Sequence, residues 1–366
     1  AAPAAPAVPA PTAAEIFEAE GAAATAKLKG LTARVRATLQ LQSPVLTSQL
    51  DAFCEGVEAK LVPTPAEQLY TCVCELITAC LGTTPAPPDA PPPAALAALR
   101  AIDTAFGLSN APMTDDAAAA AVSAAWGPTF ARDFSPPPRT LTELLAKLEG
   151  WRVAIEASLA AAPTERLEET WGRALSPQQP LVEVPGQYNT DVEPALDQHA
   201  LVERLQATVA VRRDAATGAT TRVVTLIGDD CVRYPFAVDV ATPLQPSRAL
   251  RLERVSQLVR LLNRRLLESR EARRRALRLS TPGGCRLSPS TSLVAADASA
   301  LSLGALLARS RADAGVSPYA AALAHQRTVA RDEPTEQRLR QAFEAASAQV
   351  PADSLSKALH AGVPSA

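Results

Sequence analysis

Apolar residues recur at helical intervals through the first part of the chain. EIFEAEGAAATAKLKGLTARVRATLQL (15–41), SQLDAFCEGVEAKL (48–61) and LYTCVCELITAC (69–80) each place them three and four apart, which predicts two or three helices over 15–81. TTPAPPDAPPPAA (83–95) then breaks helix, because each proline lacks an amide donor and fixes its φ, and reads as a loop. Helical character resumes over Leu96–Phe106 and across the alanine run Ala117–Ala121, and stops at Ser135-Pro136-Pro137-Pro138. Thr140 and Glu143 have capping-box spacing, in which hydroxyl and carboxylate satisfy free amides of the first turn. Behind them Leu141, Leu144, Leu145, Leu148, Trp151, Ile155 and Leu159 form one stripe that needs a partner, and Pro163 marks the stop.

After Pro180 the period shortens. LVEVPGQY (181–188), ATVAVRR (207–213), TRVVTLIG (221–228) and VRYPFAVDVA (232–241) read as strands, with turns at Asp214–Thr221 and Gly228–Asp230. A long amphipathic helix from Leu250 to about Leu267 is expected to face Leu252, Val255, Leu258, Val259, Leu262 and Leu266 inward. Strand-like pieces follow near Leu279 and at Leu293–Val294, and then helices at Ala300–Arg311, Tyr319–Arg331 and Glu333–Ala348. The expected class is α+β: an N-terminal helical region, an antiparallel sheet of about five strands with one long helix, and C-terminal helices.

Composition changes this picture little. Alanine-rich helices bury little area per residue, so the core must come from scattered Leu, Val and Ile. A net charge of -2 predicts no global attraction to nucleic acid or anionic membrane. No window approaches ~18 uninterrupted apolar residues, so no membrane span is expected. The Ala/Pro lead 1–14 lacks the basic start of a signal peptide and is expected to be disordered. The first residue is Ala and not Met, as in a fragment or a processed chain. Six cysteines are too sparse for a disulfide scaffold, and His199, His325 and His360 show no ligand spacing. Cys72, Cys74 and Cys80 are therefore expected to be buried, reduced thiols, which fits cytosol or nucleus.

Several strings in collinear order sharpen the class. LVEVPGQY resembles the opening of the kinase domain of phosphatidylinositol-3-kinase-related kinases. TRVVTLIGDDCVRYPFAVDVA (221–241) resembles their paired strands, and SRALRLERVSQLVRLLN (247–263) resembles their long helix, with Glu253, Arg254, Val255, Gln257, Leu258, Leu261 and Asn263 on the pattern. LSPSTSLVAADASALSLGALL (287–307) is most similar to the TRRAP-type branch. The resemblance runs from about Thr140 to the end. It implies residues 140–180 as the end of a helical insert, 181–312 as a kinase-like small lobe, and 313–366 as helices leading to a large lobe. Residues 15–135 carry no family motif.

The TRRAP-type branch is catalytically inert, and its resemblance implies a non-catalytic scaffold without cofactor. Its implied partners are protein subunits of nuclear histone acetyltransferase coactivator complexes of the SAGA kind and transcription activators. The residues agree on their own account. An active lobe places a lysine on its third strand; here the aligned string FAVDVA puts Asp239 there, an anion that would repel phosphate. The lysines are Lys27, Lys29, Lys60, Lys147 and Lys357, so none falls in the strand region; Arg233 and Arg248 are the nearest substitutes in sequence. No G-x-G-x-x-G, H-R-D or D-F-G string occurs. Asp239 and Glu253 thus read as a degenerate nucleotide site, with Glu253 either the helix glutamate of an active kinase or a structural partner for a neighbouring arginine. The rival is an active lipid or protein kinase of the same family.

Arg248–Arg278 holds eleven arginines against Glu253, Glu268 and Glu271. Arg264, Arg265, Arg273, Arg274 and Arg275 form a basic face suited to an acidic protein partner. Phosphate or DNA is the alternative ligand, although no aromatic residue interleaves to stack on bases.

Overall fold

The computed structural model describes residues 27, 30–82, 90–109, 116–159, 164–167, 181–187, 199–214, 217–280, 283–296, 335–348 and 356. The predicted helices at Ala300–Arg311 and Tyr319–Arg331, the lead 1–14, most of 83–95 and all of 168–180 lie outside these residues.

The chain is α+β. Helix α1 occupies residues 30–42, followed by α2 (Pro44–Lys60), α3 (Pro65–Gly82), α4 (Pro93–Phe106), α5 (Ala117–Phe134) and α6 (Leu141–Ser158). Helix α3 opens with a capping box: the Thr64 amide donates to Glu67 Oε2 at 2.7 Å and the Glu67 amide donates to Thr64 Oγ1 at 3.3 Å. Helix α4 starts inside the proline-rich stretch, since a fixed φ suits a first helical position. Thr140 caps α6 as expected, accepting from the Glu143 amide at 3.1 Å, while the Glu143 carboxylate takes the amide of Arg139 instead of that of Thr140.

One core cluster is built by the stretch from α3 to α6, with Leu244 from later in the chain packed against it. Leu144, Leu148 and Ile155 are at most 1% exposed, and they meet Leu69, Val73, Leu76 and Ile77 of α3 and Ile102 of α4. Trp151 stacks with Trp126, Phe130 and Phe134 of α5 at centroid distances of 5.4 to 5.8 Å.

The sheet has seven strands where about five were expected: β1 (Thr164–Arg166), β2 (Val202–Leu205), β3 (Thr208–Arg213), β4 (Thr220–Gly228), β5 (Arg233–Val240), β6 (Gly284–Arg286) and β7 (Thr291–Ala295). All pairings are antiparallel, in the order β1-β3-β4-β5-β7-β6. β2 pairs with the far half of β4, so that β2 and β3 lie end to end along one edge of it. The predicted turns 214–221 and 228–230 join β3 to β4 and β4 to β5. Three departures concern short segments. The run at 181–188 makes a single bridge, Glu183 to Leu201. No strand forms at Leu279; the pairing partner of β7 is Gly284–Arg286. β1 falls within the stretch expected to close a helical insert.

Even-numbered positions of β4 turn one face of the sheet toward the helices. Val224 and Leu226 on that face, with Phe236 and Val238 of β5 and Leu293 of β7, pack on Phe53, Val57 and Leu61 at the α2 end. Helix α2 thereby completes the core of the sheet.

Helix α7 (Arg248–Glu268) and the short α8 (Arg270–Arg274) lie in the chain between β5 and β6, and α9 (Glu336–Ala348) comes after β7. The extent of α7 matches expectation, but its burial does not. Val255, Leu258 and Leu262 are exposed, and Val259 and Leu266 are only half-buried; the side chain of Leu252 is outside the description. The stripe is amphipathic in sequence, yet α7 meets the sheet at its first turn and does not lie across it.

Candidate functional site

Helix α3 presents Glu67, Thr71, Cys74 and Glu75 toward the sheet, positions one and two turns apart on one face. Thr71 Oγ1 donates to the backbone oxygen of Gly218 at 3.2 Å. Gly218 has φ +68°, and a Cβ there would stand 2.5 Å from Cys74 Sγ, so only glycine allows the turn to close on the helix. Arg213 lies over the Tyr70 ring at 5.8 Å.

Two arginines reach from the β side to the two glutamates of α3. Arg222 on β4 has a side chain 5% exposed. It donates Nε and Nη2 to Glu165 of β1 at 2.8 and 2.9 Å and Nη1 to Glu67 at 3.0 Å. Burial opposes its charge, but the two carboxylates more than offset this and hold its proton more tightly than in an ordinary arginine. The fork uses both edges, the geometry that makes arginine and not lysine the residue for a buried clamp.

The second arginine is Arg248, at the start of α7. Its Nε donates to Asp239 Oδ1 at 2.9 Å, and its Nη1 lies 3.5 Å from Glu75 Oε1. Thr242 Oγ1 donates to Glu75 Oε2 at 2.7 Å. Burial raises the carboxyl of Glu75, while Thr242 and Arg248 pull it back. A cavity of about 20 Å³ sits among Gln68, Thr71, Thr220, Asp239, Thr242 and Arg248. That is room for one water molecule, far below the ~300 Å³ of a small ligand pocket.

The degenerate pair of the sequence is therefore not a pair in space. Asp239 is held by Arg248, whereas Glu253 is 48% exposed and its basic neighbour is Arg286 at 4.0 Å. Of the two substitute cations, Arg248 does enter the cleft, but its anchors are Asp239 and Glu75 and not Glu253. Arg233 lies exposed at the start of β5. Glu67, Glu75, Glu165 and Arg222 escaped the sequence reading. The Thr64-Pro-Ala-Glu67 capping spacing was the one signal pointing to Glu67; the other three become partners only through long-range pairing.

The basic face is exposed and partly self-paired. Arg265 bridges Glu268 at 2.9 Å, and Arg274 and Arg275 share Glu271 at 2.9 and 2.8 Å. Arg273 has no ion pair among the described residues, and Arg264 is exposed on α7. None of the described cysteines forms a disulfide. Burial pushes Cys72 and Cys74 up to about 12 and Cys80 up to about 11, which makes them inert packing groups. His199 pairs with Glu183 at 3.0 Å; His325 and His360 lie outside the described residues. Among the described residues no cluster of His, Cys, Asp and Glu is arranged to hold a metal, and no helix is long and apolar enough to cross a membrane.

No protein-family model matches the chain, and no curated protein matches it. Among solved structures it is similar to the open conformation of CtTel1, at 12% identity and a TM-score of 0.38, over 85% of this chain and 12% of that one. The FAT and kinase domain of CtTel1 and the complete CtTel1 dimer with C2 symmetry match at the same identity and score, each over 78% of this chain and over 20% and 11% of theirs. The chain thus spans a fifth or less of the proteins it matches. At this score the likeness is loose, and the α+β assignment rests on the helices and strand pairings themselves.

Proposed function

We propose that this chain is a non-catalytic scaffold: a kinase-like small lobe clamped to a helical region, working through protein contacts. One observation carries the reading. Where an active lobe would offer a free cation to the nucleotide phosphates there is Asp239, and the arginine beside it is already bound by Asp239 and Glu75. Phosphoryl transfer depends on cations and metal-binding acids held open for the nucleotide. A closed ion cluster around a one-water cavity supplies neither. The motif resemblance to the TRRAP branch supports the finer reading, a subunit of a nuclear histone acetyltransferase coactivator complex that contacts transcription activators.

The test is thermal unfolding with and without magnesium and ATP. A ligand at a hundredfold its Kd stabilises by about 2.7 kcal/mol, which would raise Tm by on the order of 5 °C in a unit of this size. No shift is expected. A magnesium-dependent rise of that size would replace this reading with its rival, an active kinase of the same family in which Arg248 leaves Asp239 to meet phosphate.

A further inference from the structure

Helix α7 leaves uncovered the face that its sequence builds for burial. Val255 is 46% exposed, Leu258 56% and Leu262 43%, at i, i+3 and i+7 on one stripe. Apolar residues scattered singly over a surface need no explanation, but a continuous stripe marks an interaction site. The surface continues past the helix. The segment after α8 folds back along α7, where Asn263 Nδ2 donates to the Leu279 oxygen at 2.9 Å and the Leu279 amide donates to Asn263 Oδ1 at 2.8 Å. Leu279 itself is 45% exposed.

The charges around the stripe select the occupant. A chain of net charge -2 concentrates eleven arginines against three acids in residues 248–278. Arg254, one turn from Leu258, is exposed and has no ion pair among the described residues. A second copy is a poor fit by the same measure. A further exposed apolar stripe among the described residues, Leu31, Val35 and Leu39 of α1, is flanked by Arg34 and by Arg36, which Asp51 pairs, so it offers α7 no acidic complement and Arg34 would meet like charge. Nucleic acid would use the arginines but leave the leucines wet, and α7 offers no aromatic ring to stack on a base.

We propose that this stripe docks an acidic amphipathic helix from a partner protein. Its apolar residues at i, i+3 or i+4 and i+7 lie on Val255, Leu258 and Leu262, and its carboxylates face Arg254 and the arginines around it. This deepens the scaffold reading and rests on it, by naming a surface through which such a scaffold would work.

The test is fluorescence anisotropy of a labelled synthetic peptide titrated with the full chain. The peptide is about 20 residues long, with leucine at the stripe spacing, glutamate at the positions flanking it and alanine elsewhere to favour helix. Binding that weakens with salt is expected. Leu258→Asp should cost about tenfold or more, and Arg254→Glu several-fold with a flatter salt dependence. Both sites are on the surface, and far-UV circular dichroism checks that the variants fold. A peptide with lysine in place of glutamate should not bind. Equal binding of the lysine peptide, indifference to Leu258→Asp, or no binding of the acidic peptide overturns the proposal. Displacement of the peptide by a DNA duplex would reassign the face to nucleic acid, and self-association abolished by Leu258→Asp would reassign it to a second copy; either result overturns it. The nucleotide test fails separately: stabilisation by magnesium-ATP removes the scaffold reading and leaves a peptide result standing.

Discussion

At the scale of single residues, Arg222 is a buried charge whose loss strands another. Its guanidinium is buried, and so is Glu67, whose side chain is 10% exposed, while Glu165 at 40% can recover water. Removing the arginine strands Glu67. We expect Arg222→Ala to destabilise by about 3–5 kcal/mol, the range for breaking a buried pair by deleting one partner. Adding Glu67→Gln should restore part of the loss, because the stranded charge is gone. Urea midpoints of the two variants check this, and additive losses would show that the pair is not coupled. Asp133 makes a second, pH-dependent case. Its carboxylate accepts from Arg132 Nε at 2.9 Å and from Trp151 Nε1 at 3.0 Å, and these bonds hold it below the ordinary aspartate value of 3.8. A carboxyl lowered on folding adds stability above its unfolded pKa, and that increment is lost as pH falls through the folded one. The stability difference between wild type and Asp133→Asn should therefore be full at neutral pH and shrink below about pH 4, as read from urea midpoints by far-UV circular dichroism. Arg132 is 72% exposed, so the increment is modest and salt-sensitive.

At the scale of elements, what the sequence disclosed follows the range of the interactions involved. Helix α6 was largely legible: the Thr140 cap and the stripe are local, and every stripe residue from Leu141 to Ile155 is buried where its spacing put it, while the helix ends at Ser158 and Pro163 lies outside the described residues. β3, β4, β5 and β7 were legible because apolar runs flanked by turn residues are also local. β1 and β2 were not. Thr-Glu-Arg and Val-Glu-Arg-Leu carry too few apolar residues to signal a strand, and they become strands only by pairing with β3 and β4. Helix α7 shows the opposite failure. Its pattern correctly gave a helix and an apolar face, but periodicity says that a face wants a partner, not whether the partner is the adjacent sheet. The site was half legible for the same reason. Asp239 could be placed by motif and Arg248, nine residues on, was a candidate from its position, whereas the glutamate behind it, Glu75, lies 173 residues away and joins them only through the fold. Glu253, which motif spacing linked to Asp239, points elsewhere.

At the scale of the whole molecule, two core clusters share a short list of connections. The first belongs to α3–α6, with Leu244 of the segment between β5 and α7 packed against it, and the second joins the sheet to the end of α2. α3 holds them together through Glu67 to Arg222, Glu75 to Arg248 and Thr242, and the close turn at Gly218. Most of these links are polar. Polar links fix the relative placement of two bodies but add little net stability, since desolvation offsets much of the attraction. Each cluster should therefore retain much of its own stability when the links are cut, while the intact chain unfolds as one unit because opening either body exposes the buried charges between them. The double variant Arg222→Ala/Arg248→Ala separates these effects. In a Trp171→Phe background, the otherwise wild-type chain should show coincident urea transitions for far-UV circular dichroism and for tryptophan fluorescence, which then reports Trp126 and Trp151 in the cluster of α5 and α6. In the double variant the two curves should part, with the sheet melting first, because it has lost both its clamp to α3 and the charge balance around β4. Two separated transitions already in wild type would mean that the clamp does not couple the bodies, and that helices and sheet are joined only as neighbours on a chain.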